Sequence, residues 1–350
     1  MGVRTFGWFG NSASPRANMA QSECEGCTGC SSLDFQDYGI PLEAVPRLSH
    51  TDPEADRLIA NMMPVVLTDT GLVAPALKWD LDYLSEHLGE GSCTVYQSDT
   101  PYFKYYDETK VRDHRLTDFR APTLRHEWKI GTFAQRLRSA GHNKYYYLQQ
   151  MLNETVGQSI MLDFLRFNWD WVNRQQKHNG WGPLTSNLLL VGTGGNVTPA
   201  HYDEQQNFFA HLRGHKRFLL FSPDQYGCLY PHPVWHPHDR QSQVDFSDPD
   251  LSRFPEFAHL RGWETVLGPG DVLYLPMYWW HQVESAPGKD YTVSVNFWYK
   301  AAPVDKVIYP RMGHQKMAIM RNIEKVLVEA LRDVNEVGPL LRAMVLGRYT

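Results

Sequence analysis

A histidine and a carboxylate stand two residues apart at His201 and Asp203, within the run Thr-Pro-Ala-His-Tyr-Asp-Glu-Gln-Gln-Asn (198–207). Residues two apart on an extended chain share a face, so the imidazole and the carboxylate can reach one small object together. A neutral imidazole beside a carboxylate suits a divalent metal that keeps open positions. The third ligand must come from elsewhere, and His281 in Met-Tyr-Trp-Trp-His is best placed, after a Gly-Pro-Gly-Asp turn and a strand. Two histidines and one carboxylate leave room for a cosubstrate and dioxygen, the arrangement of non-haem Fe(II) oxygenases. A lone His-x-Asp is weak evidence, since many solvated loops carry one. The later histidine and a lysine inside the following strand strengthen it.

That lysine is Lys216, in the apolar run 215–221. A lysine on an exposed strand edge commonly blocks aggregation. Phe218 and Leu220 share its face, however, which turns Lys216 inward, where a lysine needs a partner. A dicarboxylate such as 2-oxoglutarate supplies one: its 2-oxo acid end would chelate the metal, and its other end would meet Lys216 and the hydroxyls of Thr198 and Tyr147. Tyr147 comes from Tyr-Tyr-Tyr-Leu-Gln (145–149), which puts Tyr145, Tyr147 and Gln149 on one face. That pattern fits the inner wall of a binding barrel and equally a polar edge facing solvent. Residues 291–298 alternate likewise, with Val293, Val295 and Phe297 on one face and Thr292, Ser294, Asn296 and Trp298 on the other. The polar row reads as a ligand lumen if it faces inward and as ordinary solvent surface if it does not. His211, His215, His232, His236 and His238 read as surface or supporting groups rather than ligands.

The elements that must position these groups follow from periodicity. A strand is expected at 64–69 and another at 94–96. Asp80 should cap a helix over Leu81, Leu84 and Leu88, and Trp128, Phe133 and Leu137 fit a second amphipathic helix. Residues 154–176 read as helical, broken by Gly-Trp-Gly-Pro (180–183). From Ser186 the texture changes to short strands with glycine turns, as in an antiparallel barrel or jelly roll. Residues 207–221 and 263–275 each read as a hairpin. The segment 223–262, rich in Pro, Asp and His, reads as an insertion between strands, with Arg240 and Gln241 as candidate substrate contacts. After Lys300 the period becomes helical again over Ile319, Ile323, Val326 and Ala330. Gly338-Pro339 should end that helix, and Leu340, Leu341, Met344 and Val345 suggest a second one. An apolar helix pair docks within the chain or against a second copy.

The 350 residues carry 42% hydrophobic and 13% aromatic residues, enough for a large core, and a formal net charge of -5 that disfavours nucleic acid as a partner. No apolar run reaches the length needed to span a bilayer, so no membrane partner is expected. Five cysteines, an odd number, argue against a secreted disulfide framework and for a cytoplasmic protein, with nuclear residence also open. Residues 1–33 read as a disordered tail, in which Cys24, Cys27 and Cys30 lack a fourth nearby cysteine for a structural metal site.

The runs at 198–210 and 239–246, Pro-Met-Tyr-Trp-Trp-His (276–281) and Thr-Val-Ser-Val-Asn-Phe-Trp-Tyr-Lys (292–300) resemble those of the jumonji-type 2-oxoglutarate dioxygenases, in their asparaginyl-hydroxylase branch. The likeness runs from about Ile40 to Thr350. It implies a mainly β fold with flanking helices: a double-stranded β-helix of the cupin and jumonji type over 34–300, followed by a C-terminal helical dimerisation segment over 301–350. It implies Fe(II) on His201, Asp203 and His281, and 2-oxoglutarate on Lys216, Thr198 and Tyr147, with Asn207 and Asn296 close to cosubstrate and metal. Dioxygen is the further cosubstrate. Gln149, Arg240 and Gln241 would contact the substrate asparagine or its backbone, and Trp298 would pack beside them, with Asp203 at the same point. The implied substrates are the C-terminal activation segment of the hypoxia-inducible factor alpha subunit and ankyrin-repeat proteins, in an oxygen-sensing homodimer. The tail has no counterpart in that family, and His215 stands where a tyrosine is expected. A jumonji lysine demethylase, a hydroxylase of another residue, and a non-catalytic binding module are the alternatives.

Overall fold

The computed structural model describes residues 33–141, 143–152, 157–288, 290–302 and 311–346. The expected cysteine-bearing tail, with Cys24, Cys27 and Cys30, lies outside them. The described elements belong to one compact unit, Asp34–Thr350.

The first half alternates strands and helices: β1 (Leu42–Ala44), β2 (Arg47–Ser49), α1 (Pro53–Ala60), β3 (Val65–Thr68), α2 (Leu81–His87), β4 (Ser92–Ser98), α3 (Glu108–Asp113), β5 (Leu124–Lys129), α4 (Ile130–Arg138), β6 (Tyr145–Met151), α5 (Gln158–Leu165) and α6 (Trp169–His178). The second half is strand-rich: β7 (Leu184–Thr193), β8 (Val197–His201), β9 (Gln206–Arg213), β10 (Lys216–Phe221), α7 (Tyr226–Leu229), β11 (Gly262–Leu267), β12 (Val272–Leu275), β13 (Trp280–Ser285) and β14 (Tyr291–Tyr299). Two helices follow, α8 (Gly313–Leu331) and α9 (Val334–Val345). Local chemistry accounts for their ends. Asp52 and Asp80 accept the amides of Glu54 and Tyr83, each at 2.8 Å, and so start α1 and α2.

The strands form a nine-stranded sheet, β2-β3-β12-β9-β14-β7-β6-β4-β5, and a five-stranded sheet, β1-β11-β10-β13-β8. From β7 onward the chain passes repeatedly from one sheet to the other, which is the winding of a jelly roll. Here two expectations fail. Strands β9 and β10 are joined by a tight turn at Gly214 yet lie in different sheets, and so do β11 and β12, so neither pair is a hairpin. The physical reason is burial: β10 is buried at every residue and β9 at all but its last, which demands covering on both faces.

Three apolar clusters follow from this winding. On the outer face of the large sheet, Leu148, Val191, Phe208, Val295 and Phe297 pack under α1, α2, α4, α5 and α6. Between the sheets lie Tyr147, Leu190, Phe209, Phe218, Leu220 and Leu273. On the outer face of the small sheet, Leu219, Phe221 and Trp280 pack against Leu229, Phe246 and Phe257 of the segment between β10 and β11, and against Met317 of α8.

Three further boundaries differ from expectation. Trp128 lies within β5, which runs to Lys129, rather than opening a helix, because α4 starts at Ile130 with no intervening loop. Of the helical stretch expected at 154–176, residues 154–156 lie outside the described residues and the rest holds two helices, parted where Asn168 caps α6 by accepting the Trp171 amide at 3.2 Å. The C-terminal helix stops not at Gly338-Pro339 but at Arg332, in the left-handed region at φ 57°; Asp333 then caps α9, with Pro339 inside it. No helix among the described residues is long and apolar enough to cross a membrane.

Candidate active site

The two sheets splay around a cavity of about 370 Å³. Strand β13 places His281 directly opposite His201 of β8, and a register shift between His281 and Val283 bends the pair at that point. Asp203 lies just past the end of β8, held because its carbonyl accepts the Tyr278 amide at 2.7 Å. The ligand atoms of His201, Asp203 and His281 lie within 4.8 Å of one another, the one such cluster among the described residues.

Both imidazoles are aimed by backbone. His201 donates Nδ1–H to the Pro199 carbonyl at 2.9 Å, and His281 donates Nδ1–H to the Trp279 carbonyl at 3.0 Å. The Nε2 atoms therefore keep free lone pairs, the form a metal needs. Burial depresses both imidazoles, His281 to about 3, so they are neutral at pH 7. Burial alone would raise the Asp203 carboxyl, but His201, His281 and Arg240 hold it below the ordinary value. Arg240 reaches to 3.7 Å from Asp203 Oδ1.

Lys216 is 2% exposed, and no carboxylate among the described residues lies within salt-bridge distance of its amine. Instead Nζ faces rings, 5.3 Å from the centroid of Tyr147 and 5.4 Å from that of Phe209. Lys216 stands four residues along β10 from Leu220, the residue paired with His281. At about 3.3 Å per residue the two levels are roughly 13 Å apart.

Tyr147, Gln149, Thr198, Asn207, Asn296, Arg240, Gln241 and Trp298 all line the cavity with the three clustered residues. The Oδ1 atoms of Asn207 and Asn296 are buried without a hydrogen-bond partner among the described residues. Gln241 forms an isolated bridge with His201, and Arg240 holds its backbone at φ 67°. Both alternating stretches thus put their polar row inward, while Tyr146, Leu148, Val293, Val295 and Phe297 join the outer core.

The remaining histidines stay outside the cluster. His211 is fully buried, with Nδ1 3.0 Å from Ser294 Oγ, and His232 stacks on His236 at 4.2 Å between centroids. The sequence reading missed a further part of the cavity lining, formed by Tyr96, Lys104, Tyr105, Tyr106 and Thr123. The segment around Phe103 lies along β8, with the Phe103 amide on the Val197 carbonyl at 2.8 Å, and Tyr105 O accepts from Gln241 Nε2. The available signal was the aromatic run Tyr-Phe-Lys-Tyr-Tyr (102–106), whose lack of period kept it out of any strand or helix.

This donor set fits a divalent metal that retains open positions, and the lysine without a carboxylate partner fits an anionic cosubstrate, while the two orphaned amide oxygens are acceptors that call for a hydrogen-bond donor.

Comparison with known proteins agrees with this geometry. The profile of the cupin-like domain matches residues 51–305. Lysine-specific demethylase 8 of Danio rerio is 44% identical over 108 residues, 31% of this chain and 26% of that protein. The HSPB1-associated protein 1 homolog of Danio rerio is 41% identical over 114 residues, 31% of this chain and 24% of that protein. The chain therefore spans about a quarter of these relatives. The tRNA wybutosine-synthesizing protein 5 of Gallus gallus is 24% identical over 261 residues, 69% of this chain and 72% of that protein.

Proposed function

The chain belongs to the cupin-like domain family, and from that premise we propose that it is an Fe(II)- and 2-oxoglutarate-dependent dioxygenase that hydroxylates an asparagine β-carbon in a protein substrate. The observation that carries the reading is the His201, Asp203, His281 cluster on a cavity lined also by Tyr147 and Phe209, the two rings that the buried Lys216 amine faces. His201, Asp203 and His281 would hold the iron, and Lys216, Thr198 and Tyr147 the distal carboxylate of 2-oxoglutarate. Together the metal and cosubstrate supply oxidation of a C–H bond by dioxygen, with release of succinate and carbon dioxide.

The protein's own part is binding and orientation. Phe103, Phe209, Phe218 and Leu190 give the cavity an apolar wall beside its polar row, which would limit the water around the reacting groups. Asn207 and Asn296 offer amides beside the metal ligands. Gln149, Arg240, Gln241 and Trp298 would grip an extended peptide entering past Tyr105, which positions one C–H bond. No general base is required.

The asparagine assignment rests on the motifs at 198–210, 239–246 and 292–300, which resemble those of the asparaginyl hydroxylase called factor inhibiting hypoxia-inducible factor. On that basis the substrates are the activation segment of the hypoxia-inducible factor alpha subunit and ankyrin-repeat proteins, met in cytoplasm and nucleus by a homodimer. The names of the relatives favour a second reading, lysine demethylation. A peptide panel scored by mass spectrometry separates the two. Gain of one oxygen on asparagine supports hydroxylation, loss of methyl from methyl-lysine supports demethylation, and no product on any peptide leaves a binding module. Asp203→Ala should abolish both peptide product and succinate; undiminished succinate from that variant would sink the dioxygenase reading.

A further inference from the structure

We propose that Arg321, on the inward stripe of α8, is a positioning residue that fixes the metal-binding loop and the substrate loop against each other, a role that deepens the dioxygenase reading and rests on it. Helix α8 buries Gly313, Met317 and Arg321, spaced four apart, and leaves the other side of the helix outside the fold. Arg321 is 4% exposed. Its guanidinium grips Asp239 with both ends, Nη1 to Oδ1 at 2.6 Å and Nη2 to Oδ2 at 3.0 Å. The same group donates Nε to Glu204 Oε1 at 3.0 Å and Nη1 to the Tyr202 hydroxyl at 3.0 Å.

Each acceptor adjoins the chemistry. Tyr202 and Glu204 flank Asp203, and Asp239 precedes Arg240 and Gln241. The two loops also meet through backbone, the Tyr202 amide donating to the Arg240 carbonyl at 3.1 Å and the Ser242 amide to the Ala200 carbonyl at 2.9 Å, but those bonds leave their side chains free to tilt. Arg240 holds φ 67°, a conformation that costs a non-glycine residue energy and persists only where neighbours over-determine it. Asp239, tied to Arg321 and to Lys110 Nζ at 2.7 Å, is that constraint. Glu324, one turn further along α8, accepts the Val234 amide at 2.9 Å and fastens the same segment again. A planar fork meeting three acceptors cannot be replaced by a point charge, so lysine at this position keeps the charge and loses the geometry.

The test uses the full chain with Arg321→Lys and Tyr202→Phe, the second removing one acceptor with little change of volume. In Arg321→Lys, amide hydrogen exchange should quicken at 202–204 and 238–241 while the strands of the large sheet keep their protection. Calorimetry should show Mn(II) binding weakened about tenfold, and the peptide KM should rise about tenfold with the 2-oxoglutarate KM within about twofold of wild type. Succinate formed without peptide hydroxylation should increase, and Tyr202→Phe should move each readout the same way by less. Unchanged exchange at 238–241 with unchanged Mn(II) affinity overturns the proposal, as does a loss of folded protein in which the folded fraction keeps wild-type values. A wild-type chain that makes no succinate with any peptide defeats the dioxygenase reading instead, and exchange and Mn(II) affinity still decide the role of Arg321.

Discussion

Burial among the Tyr147 and Phe209 rings pushes the Lys216 amine down to about 7. In the unfolded chain the same amine titrates near 10.4. Between those values the unfolded state binds more protons, so the contribution of Lys216 to stability rises with pH across that window and is most unfavourable below about 7. Lys216→Met removes a buried charge that has no protein partner, and should raise the melting temperature of the ligand-free protein, most of all at or below pH 7. The same variant should lose 2-oxoglutarate affinity by about 30-fold or more, the cost of leaving a carboxylate without its cation. Binding in the wild type should take up a proton: affinity is greatest below about pH 7 and falls by up to about tenfold per pH unit above it. Lys216→Arg stays charged and should flatten that dependence. Calorimetric titrations with 2-oxoglutarate at several pH values measure all of this, and a pH-independent wild-type affinity would contradict the ammonium role.

At the scale of elements, periodicity marks where strands lie but not which strands pair. Runs 207–221 and 263–275 have tight turns at the right spacing, and a strand buried on both faces carries no alternation to tell a hairpin from a crossover between sheets. The alternation of β6 and β14 was legible but not which row faces inward; that is decided by the helices that cover the apolar face of each and leave the polar row to the cavity. The wall at Lys104 and Tyr105 was not legible, since it is built by an aperiodic segment that leans on β8. Pairing also explains Gly192, which sits opposite Tyr147 across β6 and β7. A methyl group there would stand 2.8 Å from Asn196 Nδ2 and 3.0 Å from the Tyr147 ring. Gly192→Ala should therefore displace Tyr147 at a cost of about 1–3 kcal/mol in stability. It should raise the 2-oxoglutarate KM while leaving metal affinity near that of wild type. Equal changes in both, or in neither, would show that Tyr147 does not contact the cosubstrate.

At the scale of the molecule, α8 is apolar on two sides. Met317 and the Arg321 stem pack inward, while Ile319, Ile323 and Val326, spaced four and three apart, stand 46%, 48% and 62% exposed. Met344, Val345 and Leu346 at the end of α9 add to the apolar surface left uncovered. A single chain has nothing described to place over this surface, and a twofold pairing of the C-terminal helices would cover both copies at once. The protein should accordingly run in light scattering at about twice 40.4 kDa. Val326→Asp would bury a carboxylate without a partner at such an interface, which costs at least about 2 kcal/mol and weakens association roughly 30-fold or more. Because α8 stays fastened through Met317 and Arg321, the monomeric variant should keep its fold, its circular dichroism and its Mn(II) binding. A wild-type chain that is monomeric at tens of micromolar, or a Val326→Asp protein that dimerises unchanged, would show that the apolar face serves another purpose.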